Sequence, residues 1–331
     1  MLADNFKEPS GFNWGTFKDT DNAAIRYGSV QPKGEVKGTM VIVTGFRETT
    51  EKYFEVINEM TAKGFAVWIM GWRGQGGSER FFKNDPKKMH MANDGYAAHA
   101  RTLDKFVQSV VKNKEKPLVL SAHSMGAHIG IRYLSDYPKV FDAAVLTATM
   151  FDINTGQFLK PVARGMVAFA KASNILDSYI PHAKNALRDD ADFNNNRVTS
   201  DIGRFNITRK IYADNPKLGM NGASYGWVNE TFKSIDIVKS ESYLKNIKTP
   251  LLIQLSGKDI VIDKKAQLRA VKLLPNCTVC SIPEAKYEIW MEREELRSQW
   301  LEKLNPFLDA QIKKKMHKIT KNKKNNPHKP K

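Results

Sequence analysis

The chain has few cysteines, no long apolar run and no acid near its C-terminal end. Only two cysteines occur in 331 residues, Cys277 and Cys280, and two thiols are too few for a zinc site of their own. Their C-x-x-C spacing falls in a β-branched, strand-like stretch rather than at the helix N-terminus that activates redox thiols, and alternation sends the two side chains to opposite faces. Both are read as structural. No stretch approaches the roughly 18–20 consecutive apolar residues of a membrane span, and the first fifteen residues, MLADNFKEPSGFNWG, hold no apolar core of a secretory signal. A cytoplasmic protein is expected. The glycine-dense loop Gly71 to Ser78 lacks the spacing of a P-loop and of a dinucleotide fingerprint. No cofactor and no metal are expected.

Acids are missing from Lys313 to Lys331, where nine lysines stand; removing them lowers the net charge from +17 to +8. Residues 312–331 read as a disordered Lys/Asn/Pro-rich tail. Such a tail suits either solubility or peripheral contact with the anionic inner face of a membrane. Nucleic acid is disfavoured as a partner, because no aromatic residues interleave with the basic ones.

What the chain does have is core material, with 41% hydrophobic and 10% aromatic residues. Continuous apolar runs at Thr39–Thr44, Phe65–Met70, Leu118–Leu120, Ala143–Ala148 and Pro250–Leu255 have the character of strands covered on both faces. Helical patterns separate them, at Tyr53 to Met60, Asn93 to Lys112 and after Ser124. This alternation predicts an α/β fold with a mostly parallel, doubly wound sheet. Short strands around Trp14–Phe17 and Ala24–Tyr27 precede it, and a final helix is expected from Glu294 to Gln311. Between Phe151 and Ser242 the alternation stops. That region reads as a helical lid insertion whose Ile153, Phe158, Met166, Phe169, Ile175 and Tyr179 either cover the site or pack the insertion's own core. The core is expected over 1–150 and 243–311, with the insertion over 151–242.

The sharpest motif is Ala122-His123-Ser124-Met125-Gly126. A strand running into a tight small-residue turn and then a helix presents a serine at the bend, with main-chain donors nearby. Met125 N–H follows the serine at a helix start, and Phe46 N–H follows Thr44-Gly45 after another strand, so these two amides are the expected oxyanion donors. In this topology the acid follows the serine along the chain and the base comes last. Asp259, in Ser256-Gly257-Lys258-Asp259 after the Leu251–Leu255 run, is the expected acid, with Asp263 a lesser competitor.

Together these motifs resemble the α/β-hydrolase superfamily, in its lysophospholipase and monoacylglycerol-lipase-like branch. The resemblance spans roughly Gly11 to Asp309. It rests on Glu51-Lys52-Tyr53-Phe54-Glu55, on Gly71-Trp72-Arg73-Gly74-Gln75-Gly76 with Ser78, on the Ser124 motif, on Ser224-Tyr225-Gly226-Trp227 and on Ser256 to Asp259. It implies a serine ester hydrolase acting through an acyl-enzyme on a lipid monoester or other acyl small molecule. Ser124 is then the nucleophile, Asp259 the orienting acid, and Tyr225 and Trp227 substrate-contacting residues of a lid.

The family's closing motif carries a histidine as general base. Here that motif reads Glu284-Ala285-Lys286-Tyr287-Glu288, with Tyr287 at the histidine position. A phenol titrating near pH 10 is a poor acceptor, and a neighbouring carboxylate raises it further. Among the other histidines, His123 lies inside the bend, His128 and His90 read as structural, and His182 in the insertion is the one a lid could bring over Ser124. The alternative function is a non-catalytic relative that binds an acyl ligand or partner.

Overall fold

The computed structural model describes residues 2–91, 94–155, 159–189 and 192–325. Eight strands form one sheet: β1 (Asn13–Lys18), β2 (Ala24–Val30), β3 (Gly38–Val43), β4 (Phe65–Met70), β5 (Leu118–His123), β6 (Ala143–Thr147), β7 (Leu251–Ser256) and β8 (Cys277–Ile282). Their order across the sheet is β1-β2-β4-β3-β5-β6-β7-β8. β1 and β2 form an antiparallel hairpin, and β2 meets β4 antiparallel. Every later pairing is parallel, as short crossovers through helices require.

The helices are α1 (Leu2–Asn5), α2 (Phe54–Ala62), α3 (Gly95–Ser109), α4 (Ser124–Asp136), α5 (Lys160–Ala172), α6 (Ala186–Asp189), α7 (Ile202–Asp214), α8 (Tyr225–Val238), α9 (Glu241–Lys245), α10 (Lys264–Val271) and α11 (Glu294–Asn325). β3, β4, β6 and β7 are wholly buried, as is β5 except at Ser121, and alternation divides their side chains between two cores. Val41, Val43, Leu118, Leu120 and Ala122 face one core with Leu103 and Phe106 of α3 and Ala127 of α4. Met40, Ile42 and Val119 face the other, with Val56, Ile57 and Met60 of α2 and Leu296, Trp300 and Leu304 of α11. The cysteines follow the same rule: Cys280 belongs to the α2–α11 core, Cys277 packs against the opposite one, and both remain free thiols. Burial raises both thiols, Cys277 to about 11, so neither is poised as a thiolate.

Strands begin within a residue of the sequence reading, but β2 and β5 run on to Val30 and His123 where that reading closed them at Tyr27 and Leu120; the α/β-hydrolase order is the one found. The C-terminal expectation needs correction. The last helix does not stop at Gln311 but runs to Asn325, so residues 312–325 are helical rather than disordered. Lysine, methionine and isoleucine are compatible with helix, and no proline interrupts the chain between Pro306 and Pro327. Ile312 packs against the α2–α11 core, and Lys315 Nζ reaches Asp142 at 2.7 Å. Residues 326–331 of the expected tail lie outside the described residues.

The segment between β6 and β7 carries α5 to α9 and sits beyond the C-terminal ends of the parallel strands. Its α8 packs on α3 and α5. Ser224 caps α8 by accepting from Trp227 N–H at 3.1 Å. Of the apolar positions expected to cover the site, Ile153 and Met166 line a cavity there. Phe169 and Ile175 instead face solvent, at 68% and 39% exposure, and Tyr179 hydrogen-bonds Asp85. Phe158 lies outside the described residues.

Candidate active site

Ser124 stands where β5 ends and α4 begins. Its φ of +52° lies in the left-handed region, which a non-glycine residue occupies at a cost of roughly 1–2 kcal/mol. The bend is tight because α4 starts directly on the end of β3. A Cβ on Gly126 would fall 2.5 Å from Thr44 O and 2.7 Å from Val43 O, so only glycine fits. That approach sets the first turn of α4, with Met125 N–H, against the strand end from which Phe46 follows. Amides in a first helical turn have no acceptor within the helix. Phe46 is half-buried, and its ring lies 4.6 Å from that of Trp227.

Asp259 follows β7 and is buried, at 8% exposure. Its Oδ1 accepts from Val261 N–H at 2.8 Å and Ile262 N–H at 3.1 Å. Its Oδ2 is buried with no hydrogen-bond partner among the described residues. Burial raises its pKa above the usual carboxylate value, against the lowering effect of those amides and of Lys264. Asp263, the weaker candidate, is occupied elsewhere: it caps α10 through Ala266 N–H and pairs with Lys160.

Tyr287 follows β8, and its hydroxyl donates a hydrogen bond to Ser124 Oγ. Burial is the largest cause lifting its pKa well above the usual phenol value, with the Glu48, Asp259 and Glu288 carboxylates adding to it. The phenol is therefore neutral near neutral pH and meets the serine as a donor. A group that donates to Oγ does not accept its proton. The ring has one polar atom and directs it at Ser124, and Asp259 Oδ2 keeps no hydrogen-bond partner among the described residues.

The histidines are distributed as follows. His123 is buried, its Nδ1 3.0 Å from Thr147 Oγ1 and its ring edge-on to Tyr287 at 4.6 Å. His128 is held between Met150 O and Ser234 Oγ, both at 2.7 Å. His90 pairs with Ser224 Oγ at 2.8 Å. His182 is exposed and lines the same cavity as Ser124.

Behind Tyr287 lies a buried ionic group that motif reading passed over. Lys52 Nζ donates to Glu288 and, at 3.2 Å, to Glu48. Glu48 also accepts from Gly45 N–H and Tyr53 hydroxyl, each at 2.5 Å. Burial works to raise the Glu48 pKa, but Lys52, His123 and these donors bring it below the usual value. Glu48 thus fixes the loop that carries Phe46. The available sequence signal was Lys52 and Glu288 standing inside two of the motifs already singled out.

Two cavities meet at this point. One, of about 620 Å³, is lined by Ser124 and by apolar residues including Met166, Val167, Tyr225, Trp227 and Phe232. No carboxylate side chain lines it among the described residues. The other, of about 430 Å³, is polar and includes Arg47, Arg197, Arg209, Lys52, Glu48 and Glu288 in its wall. Phe46, Asn154, Arg197, Val261 and Tyr287 line both.

Comparison with known proteins places this geometry in context. Residues 34–294 match the model of the family described as serine aminopeptidase, S33. The probable lysophospholipase L2 of Haemophilus influenzae is 28% identical over 286 residues, covering 85% of this chain and 87% of that protein. Lysophospholipase L2 of Escherichia coli is also 28% identical, over 88% of this chain and 86% of its own length. Among solved structures, a soluble variant of monoglyceride lipase from Saccharomyces cerevisiae superposes with a TM-score of 0.70 at 18% identity, over 90% of this chain and 94% of that one. A thermostable carboxyl esterase from Bacillus coagulans superposes with 0.71 at 16% identity, over 91% and 99%.

Proposed function

The chain belongs to the serine aminopeptidase, S33 family, and from that membership we propose that it is a slow carboxylic-ester hydrolase of monoacyl lipids. The observation that carries this reading is the apolar cavity of about 620 Å³ with Ser124 in its wall. An acyl chain fills such a space, and its ester then lies at the serine. Its relatives in Haemophilus influenzae and Escherichia coli are named as lysophospholipases, which agrees with a lipid ester.

In the proposed mechanism Ser124 Oγ attacks the ester carbonyl and forms an acyl-enzyme, with Phe46 and Met125 N–H holding the oxyanion. Asp259 is the acid, Tyr225 and Trp227 contact the acyl chain, and the helices between β6 and β7 form the lid. Tyr287 is the departure. As a neutral donor it offers the attack no base, and losing a base lowers turnover by on the order of 10³–10⁶ while the oxyanion contribution persists. A second reading is favoured by the Tyr287–Ser124 hydrogen bond itself: the chain binds the acyl lipid and does not turn it over.

Three proteins separate the readings: the native chain, Ser124→Ala and Tyr287→His. For the hydrolase, a fluorophosphonate probe labels the native chain and not Ser124→Ala, with slow cleavage of short-chain p-nitrophenyl esters. Tyr287→His supplies an N–H for Asp259 Oδ2 and an acceptor for the serine, so the rate should rise by on the order of 10²–10⁴. Acyl-lipid binding with no labelling and no gain in Tyr287→His leaves the binding protein standing and removes the hydrolase.

A further inference from the structure

We propose that Gln75, in the glycine-dense loop after β4, is a positioning residue that sets the Phe46 amide for the oxyanion. The inference rests on the hydrolase reading, in which Phe46 N–H is an oxyanion donor, and deepens it by naming what holds that donor in place. The approach of two loops is the first observation. Segment 44–49 leaves the end of β3 and carries Phe46, and loop 71–78 leaves the end of the neighbouring β4. They meet at Gly76, whose φ is +60° and where a Cβ would lie 3.2 Å from Glu48 O. Trp72 Nε1 joins them a second time by donating to Thr44 O at 2.7 Å. Between these two contacts Gln75 enters the segment with no exposed surface.

The second observation is what its carboxamide bonds. Nε2 donates to Gly45 O at 2.7 Å and to Glu48 O at 3.2 Å, and stands 3.4 Å from Thr44 Oγ1. Oε1 accepts from Arg47 N–H at 2.9 Å. One side chain thus grips the main chain on both sides of Phe46. Arg47 has a φ of +64°, and a non-glycine residue keeps that left-handed conformation only where its surroundings hold it. The bond from Arg47 N–H to Gln75 is one of those holds.

The third observation is how the amides are shared out. Gly45 N–H goes to Glu48 Oε2 and Arg47 N–H to Gln75 Oε1, whereas Phe46 N–H between them has no acceptor among the described residues. A donor left open between two fixed neighbours needs little reorganisation when charge develops on an ester oxygen. Without the carboxamide, Arg47 N–H and the Gly45 and Glu48 carbonyls lose a partner, and the segment must turn to satisfy them. Phe46 N–H turns with it, while the Glu48 and Trp72 bonds still tie the segment to the fold.

The test uses the full chain with Gln75→Met, which matches glutamine in length but forms none of these bonds, and with Gln75→Asn, which keeps the carboxamide but withdraws it by a methylene. An alkyl fluorophosphonate gives a maximal labelling rate at Ser124 and a half-saturating concentration. Binding of dodecyl glyceryl ether, which has no ester to cleave, reads the acyl cavity alone. The maximal labelling rate should fall by about 10–100-fold in Gln75→Met, while the half-saturating concentration and the ether affinity stay within about twofold. Gln75→Asn should lie between Gln75→Met and the native chain. Leu308→Ala, a cavity made in the α2–α11 core, lowers the melting temperature by another route and should label at the native rate. A native rate in folded Gln75→Met, or an equal fall in Leu308→Ala, overturns the positioning role and leaves the hydrolase reading intact. So does a loss of ether binding large enough to account for the whole fall. If Gln75→Met does not fold, a native rate in Gln75→Asn overturns the role in its place. Absence of labelling in both the native chain and Tyr287→His removes the hydrolase reading, and the role of Gln75 falls with it.

Discussion

His99, His123 and His128 are each buried, and burial is the largest cause lowering each pKa from 6.5 to about 4. Arg73 adds to the effect at His99, Lys52 at His123 and Arg132 at His128. The unfolded chain binds protons at these residues from about pH 6.5 downward, whereas the folded chain resists until about pH 4. Stability is therefore fully present above pH 6.5 and is lost as pH falls toward 4, by up to roughly 3 kcal/mol per imidazole. Urea denaturation across that range should show a steep decline. His99→Phe should flatten it: the ring already stacks on Trp72 at 5.2 Å, and its Nε2 has no partner among the described residues. An unchanged slope in that variant would remove His99 from the account. At Tyr287 the sequence stated the chemistry fully, since a phenol cannot serve as an imidazole does, but not that its one polar atom would meet the serine rather than the acid.

At the scale of elements, the serine bend depends on two pieces of main chain. The start of α4 rests on the carbonyls of Val43 and Thr44, and Gly126 is the point of contact. Gly126→Ala should cost about 1–3 kcal/mol, because backbone rather than a flexible side chain would have to move. It should also reduce labelling of Ser124, since Met125 N–H and the Phe46 loop shift with the bend. Thermal melting and fluorophosphonate labelling of the same sample check both effects. The Ala122-x-Ser124-x-Gly126 spacing gave this element away in the sequence, as small residues on either side of a serine have few other reasons to follow an apolar strand. Glu48 and its anchoring of the neighbouring loop gave no such signal, because although Lys52 and Tyr53 stand close by in the chain, His123 and the Glu288 that shares Lys52 are brought there only by the fold.

Across the whole molecule, an ionic network ties the segment between β6 and β7 to the core. Arg204 of α7 bonds Glu55 of α2 at 2.8 Å and Glu294 of α11 at 3.1 Å. Arg297 of α11 reaches Glu55 at 3.5 Å and also pairs with Glu59 of α2. Arg204 and Glu55 side chains are only 4% and 5% exposed. Arg204→Ala leaves the buried Glu55 with Arg297 at 3.5 Å and the Asn5 amide at 3.1 Å and should cost about 3 kcal/mol, read as a lower melting temperature.

The sequence by itself determined the order of strands and helices, since apolar runs and helical periods are local properties of the chain. It also marked Ser124 and Asp259, because a bend or turn at a strand end leaves a spacing that survives without coordinates, whereas Tyr287 stood out only through the resemblance to a family with a histidine there. Only the tertiary structure decided which groups those residues meet: the phenol on Ser124, the unpartnered oxygen of Asp259, and the arginines of two loops and a helix around one cavity. Distances between residues far apart in the chain are set by packing of the sheet and its helices, and composition carries no trace of them.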